Sequence, residues 1–168
     1  MTQRIRFEQW VPVTVSRVFR FFSDSRNLPR IMPPRLGAEL VSIALVLPPG
    51  AQPSSGEAGT GTEIRVSVKL VPPLPFRTEW LARIVEYERD HHFADIQARG
   101  PFRRREHRHE FEAREQDGQA GTVVRDRLEY DVGLGALGKL AEKLFVGRQM
   151  ARTFAHRQRT LDALLASD

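Results

Sequence analysis

The chain has no cysteine. That removes disulfides, thiol catalysis and thiolate metal sites together. Lysine is scarce as well: Lys69, Lys139 and Lys143 are three of 26 basic residues, and the others are arginine. No apolar run approaches the ~20 residues of a membrane span. The charged start MTQRIRFEQW holds no apolar segment of the kind a signal peptide needs. A cytoplasmic location without stable membrane insertion is therefore expected. There is no glycine-rich phosphate loop, nucleophile elbow or His-Glu-x-x-His helix. The net charge of +5 is spread along the chain and not gathered on one helix, so nucleic acid is not an expected partner.

What is present reads as one domain over residues 1–168, long enough to bury roughly 70% of its unfolded surface. The last thirty-odd residues set the plan. Leu137, Leu140, Leu144, Ala151, Phe154, Leu161 and Leu165 recur at steps of three and four, with Gly147 and Gln158 interrupting, over Ala136 to Ala166. That is one stripe of a helix about 45 Å long, and it needs a surface to lie across. Ahead of it, Thr2 to Val13 reads as a strand. Val15, Val18, Phe19 and Phe22 form the buried face of a short helix capped by Thr14 or Ser16. A second short helix, Asn27 to Met32, stops at Pro33-Pro34. Strands are then expected at Ala38–Leu47, Thr62–Val71, Phe76–Glu86, His92–Arg99, Phe102–Ala113 and Thr122–Asp131. PPGAQPSSGEAGTG, Pro48 to Gly61, reads as a flexible loop that packs on nothing. Leu70 to Phe76 forms an apolar turn, and Phe76, Trp80 and Ile84 read as core. The sum is an α+β chain, a curved antiparallel sheet of about seven strands around a long C-terminal helix.

Strand parity places the chemistry. In the last strand Val124, Leu128 and Tyr130 share a face and carry Asp126 inward with them. In the strand before it, Arg104, Glu106, Arg108 and Glu110 alternate in charge and belong outside. Arg105, His107, His109 and Phe111 then face inward. Centring one turn on Pro101 sets Asp95 opposite His107, Gln97 opposite Arg105 and Phe93 opposite His109. Centring the next between Asp117 and Gly118 sets His109 opposite Asp126; a slip of two would set His107 there. Opposed side chains lie roughly 5 Å apart at Cβ. A polar cluster of Asp95, Gln97, Arg105, His107, His109 and Asp126 is thus expected on the concave wall, with polar groups on that wall alone.

Several stretches resemble the START-like (SRPBCC) superfamily: Asn27-Leu28-Pro29-Arg30-Ile31 with Pro33-Pro34, Trp80 to Tyr87, and Phe93-x-Asp95-x-Gln97 with Gly100-Pro101-Phe102. His107-x-His109-x-Phe111, Gly121-Thr122 with Asp126 and Tyr130, and Leu134-Gly135-x-Leu137-Gly138 complete the match. Within that superfamily the chain is similar to a bacterial ligand-binding group related to proteins called cell division inhibitors. Where similar sequences tend to carry tryptophan, it has Arg105. The resemblance implies a helix-grip fold and a cavity between sheet and helix for hydrophobic small molecules.

The cluster admits four readings: a satisfied buried network, ligand recognition, acid–base catalysis by a carboxylate-held histidine, and a His-x-His metal site. The expected function is binding of a small, mostly hydrophobic ligand with a polar end. A polyketide cyclase or dehydratase using His107, His109 and Asp126 is the alternative. The ligand-contacting candidates are Trp80, Asp95, Gln97, Arg105, His107, His109, Asp126 and Tyr130. No metal and no cofactor are expected.

Overall fold

The computed structural model describes residues 2–69, 75–133, 135 and 142–166. The turn expected over Leu70 to Leu74, and the contributions of Leu137 and Leu140 to the C-terminal stripe, lie outside the described residues. So does the side chain of Leu144.

Strand β1, Gln3–Val11, leads into α1, Val15–Ser23, and α2, Leu28–Ile31. Strands β2 to β7 follow at Glu39–Ala44, Glu63–Lys69, Arg77–Glu88, His92–Arg99, Arg104–Gln116 and Gln119–Asp131, and α3 closes the described chain at Gly147–Ala166. The strands form one antiparallel sheet in the order β1-β7-β6-β5-β4-β3-β2. The curved open sheet, the two short helices after β1 and the C-terminal helix make this a helix-grip fold.

The expected α1 face is largely the observed one, since Val18 and Phe19 are fully buried, joined by Phe21. Thr14 stands at the N-cap position but makes no side-chain cap bond. Ser16 is no cap either; its hydroxyl donates to Asp90 at 2.7 Å. Phe19 meets Tyr87, Phe93 and Phe111 edge-on at 5.3–6.0 Å, which locks α1 onto the sheet.

β6 and β7 are longer than alternation suggested. They meet in a two-residue turn, Asp117-Gly118, both at positive φ, the conformation that a right-twisted hairpin favours. That turn fixes His109 opposite Asp126, and the β5–β6 pairing sets Asp95 opposite His107 and Phe93 opposite His109, as the sequence predicts. On the convex face the alternating charges form cross-strand pairs: Arg127–Glu110 at 3.0 Å, Arg125–Glu112 and Arg125–Glu8 at 2.6 Å. Each such exposed pair contributes about 0.2–1 kcal/mol.

Three expectations need correction. Phe76 is 68% exposed, because β4 starts only at Arg77 and Phe76 precedes the pleat that would have turned it inward. The 48–61 loop is held at its C-terminal end. The Glu57 carboxylate is 5% exposed and accepts from Arg89 at 2.6 Å and from the Tyr87 hydroxyl at 3.2 Å. Ala58 is buried, its N–H bonded to the Ser23 carbonyl. Composition marked the glycines and serines but could not show that one glutamate had a buried partner.

The C-terminal helix departs from the stripe as well. A π-helical turn, Glu142–Val146, precedes α3, and within α3, at about 100° per residue, Ala151 lies roughly 60° round from the centre of the Phe154, Leu161 and Leu165 row. Phe154, Leu161 and Leu165 are buried as expected, whereas Ala151 is exposed. α3 lies along β1: Phe154 stacks on Phe7 at 4.2 Å, and Gln9 donates to the Gln158 carbonyl at 2.9 Å and to Asp162 at 2.6 Å.

Candidate functional site

A cavity of about 190 Å³ lies between the concave face of the sheet, α1–α2 and α3. A buried water occupies on the order of 10–15 Å³ on this measure, so the space suits a small organic molecule. Phe22, Leu28 and Ile31 close one side, Ile64, Trp80 and Ala82 another, and Met150, Thr153 and Phe154 of α3 a third.

Asp95, Gln97, Arg105, His107 and His109 stand together on the β5–β6 wall, joined by Arg157 from α3. Polarity itself is not confined to that wall, which corrects the sequence reading: Ser23, Asn27 and Thr153 also line the cavity. They come from helices and turns, which strand parity cannot place. Each donates a hydrogen locally, to the carbonyls of Arg20, Phe21 and Gln149 respectively. What gathers on one wall is buried charge.

Arg105 Nη1 donates to Asp95 Oδ1 at 2.8 Å, and its Nη2 lies 3.3 Å from His107 Nδ1. His107 Nε2 is 3.0 Å from Asp126 Oδ1, and His109 Nδ1 is 2.6 Å from the same oxygen. Arg157 Nη2 reaches to 3.3 Å from His109 Nδ1 and 3.7 Å from Asp126 Oδ1. A carboxylate has no hydrogen to give, so both histidines donate to it. His107 therefore carries its proton on Nε2 and accepts from Arg105 at Nδ1. His109 carries its proton on Nδ1. The Arg157 contact there is not a hydrogen bond, and that guanidinium acts on Asp126 by charge. The lone pair of His109 is left on Nε2, which has no partner among the described residues.

Burial lowers the pKa of both histidines, that of His107 to about 3. They are neutral at neutral pH. Burial pushes the Asp126 carboxyl up, but Arg157 and the two histidines outweigh it and hold it well below its usual range. Asp95 is likewise held low, because Arg105, His107 and His109 together overcome burial. The cluster thus has two carboxylates, two guanidiniums and two neutral imidazoles, and balances.

The remaining candidates fall in different places. Trp80 lines the cavity. Gln97 does too, but its amide clasps the β5–β6 turn, donating to the Phe102 carbonyl at 2.7 Å. Asp126 sits one layer behind the two histidines. Tyr130 is 1% exposed and packs edge-on to Phe102 at 5.5 Å in a satellite core with Leu128 and Phe154, off the cavity wall.

Asp95, His107 and His109 offer three ligand atoms within 4.8 Å of one another. A cation held there would have to displace Arg105 from both Asp95 and His107, beside a second guanidinium at Arg157. The set does not suit a divalent ion. Arg157 is the residue that sequence reasoning missed. The signal was available: it lies three residues after Phe154 and four before Leu161, a charge set into an apolar stripe.

A curved sheet gripping a helix over a cavity with one charged wall defines a ligand-binding class of fold. The sequence profile of the family described as polyketide cyclase / dehydrase and lipid transport matches residues 11–159, and the chain belongs to that family. Among curated proteins none matches. Solved structures share the fold at low identity. The protein TTHA0849 from Thermus thermophilus has a TM-score of 0.63 at 22% identity, covering 98% of each chain. A START superfamily protein from Mycobacterium smegmatis has 0.65 at 14%, covering 98% of this chain and 97% of its own. A norcoclaurine synthase point mutant from Thalictrum flavum, in complex with a transition-state analogue, has 0.58 at 18%, covering 97% and 96%.

Proposed function

We propose that the protein binds a small, mostly hydrophobic ligand by its apolar body, with the ligand's polar end turned to the β5–β6 wall. The observation that carries this reading is the division of one cavity into a wide apolar wall and a single buried charged cluster. Apolar pockets with a few placed polar groups recognise and orient organic guests. The second reading is an enzyme of cyclase or dehydratase type. It draws on His109, whose Nδ1–H is held by Asp126 while Nε2 keeps its lone pair, the arrangement of a general base.

Native mass spectrometry of the purified protein tests whether a guest travels with it. Titration with N-phenyl-1-naphthylamine, a neutral fluorescent probe, tests the cavity directly. Saturable binding in the wild type and its loss in Thr153→Trp, which fills the cavity from α3, are expected. Equal binding by both proteins contradicts the reading. Recovery of a co-purified guest chemically altered after incubation favours the enzyme.

A further inference from the structure

We infer that the polar end of the guest is an uncharged hydroxyl that donates its hydrogen to His109 Nε2, and not a carboxylate. The inference rests on the ligand-binding reading above and narrows it to a chemical class.

Within the cluster every acid already faces a base. Asp95 receives Arg105 at 2.8 Å, and Asp126 receives both histidines with Arg157 at 3.7 Å. His107 has both nitrogens engaged, one by Asp126 and one by Arg105. His109 has one engaged. Its ring lines the cavity, tilted over Phe93 at 4.5 Å, with Phe22 on another side at 5.6 Å. The base that remains is therefore an imidazole nitrogen set between apolar rings. Such an atom rewards a hydrogen-bond donor brought in by an apolar body and gives nothing to an acceptor.

Arg157 lies beside the same ring, its Nη2 3.3 Å away, and its charge already faces Asp126 at 3.7 Å. A hydroxyl has the hydrogen that the bare nitrogen can accept. A carboxylate has none to give. It would also add a buried negative charge to a cluster that already balances, with Asp95 and Asp126 close by. Lys69, at the β3 end of the cavity, is the one cationic lining side chain outside the cluster among the described residues.

Four probes of one shape separate the possibilities: naphthalene, 1-naphthol, 1-methoxynaphthalene and 1-naphthoate, each titrated into the wild-type protein by calorimetry at neutral pH. The methyl ether keeps the oxygen as an acceptor but cannot donate. 1-Naphthol is expected to bind about tenfold tighter than 1-methoxynaphthalene, with 1-naphthoate weakest. In His109→Phe the gap between naphthol and methyl ether should close. If that variant does not fold, the wild-type comparison still decides. Equal binding of naphthol and its methyl ether, or tightest binding by naphthoate, overturns the inference and leaves the cavity reading standing. Failure of all four to bind defeats both.

Discussion

Asp126→Asn changes one oxygen to nitrogen in the centre of the cluster and leaves the shape intact. Both histidine contacts are made to Oδ1 alone, so the amide oxygen can take that place and go on accepting from His107 Nε2 and His109 Nδ1. What disappears is the negative charge 3.7 Å from Arg157, whose side chain is only 11% exposed. The amide also turns an N–H₂ toward a wall already rich in donors. Removing one partner of a buried ion pair costs about 3–5 kcal/mol, because the other charge stays behind uncompensated. For a domain of this size each kcal/mol moves the melting temperature by about 2–4 °C, so a fall of roughly 6–20 °C is expected. Urea unfolding followed by circular dichroism gives the free energy directly, and Arg104→Ala is the control. Arg104 is on the opposite face, 66% exposed, and among the described residues pairs only with Glu106; its loss should cost less than about 0.5 kcal/mol. A cost below about 1 kcal/mol for Asp126→Asn would refute the reasoning, since it would mean that Arg157 is paired elsewhere or hydrated.

Acid should weaken the fold before the carboxylates titrate. The folded pKa of His107 is depressed to about 3, and that of His109 is lowered as well. Their stabilising effect is full above the unfolded value of about 6.5 and is lost as pH falls toward the folded one. The unfolded chain then binds more protons, and the slope is about 1.4 kcal/mol per pH unit for His107 between those limits, with His109 acting in the same direction. Urea midpoints at pH 7.5 and pH 5 should differ clearly, and a flat profile would show the rings to be solvated. Phe154→Ala removes the ring stacked on Phe7 and edge-on to His107 at 5.6 Å; a loss of about 3 kcal/mol is expected in the same assay, with Arg152→Ala near neutral. Glu57→Ala frees the end of the 48–61 loop from Arg89 and Tyr87 and should cost about 1–3 kcal/mol. An unchanged midpoint would restore the view of that loop as packing on nothing.

The sheet was legible because two signals agreed. Alternation in Ile64, Val66 and Val68, or in Val124, Leu128 and Tyr130, states which face is buried, and Asp117-Gly118 fixes the register of the hairpin between β6 and β7. From these the facing of Asp95, His107, His109 and Asp126 followed without a structure. Contacts made by elements far apart in sequence were not legible in the same way. Arg157 enters the cluster 48 residues after His109, and helical periodicity alone gave no reason to pair them. Glu57 was hidden in a glycine-rich stretch whose composition outweighed one carboxylate. Ala151 was misplaced because successive steps of three and four drift round the helix, and it falls at the edge of the row that Phe154, Leu161 and Leu165 centre. Parity also cannot tell a cavity wall from a packed core, and so Tyr130 was grouped with residues that line the cavity although Phe102 and Phe154 surround it.

In the function proposed above, the guest lies between the sheet and α3 with its polar end on the β5–β6 wall. A ¹⁵N-labelled sample titrated with 1-naphthol and followed by heteronuclear NMR tests it residue by residue. The expected result is that the Trp80 indole N–H and the amides of Ala58, Ala82, Phe93, His109 and Thr153 shift together with one affinity. Those of Arg65, Arg83 and Arg127 on the convex face should stay still. The protein also exposes apolar side chains at Val41, Leu45 and Val46, on and just beyond β2. Shifts confined to that edge, with Trp80 and His109 unmoved, would contradict the claim.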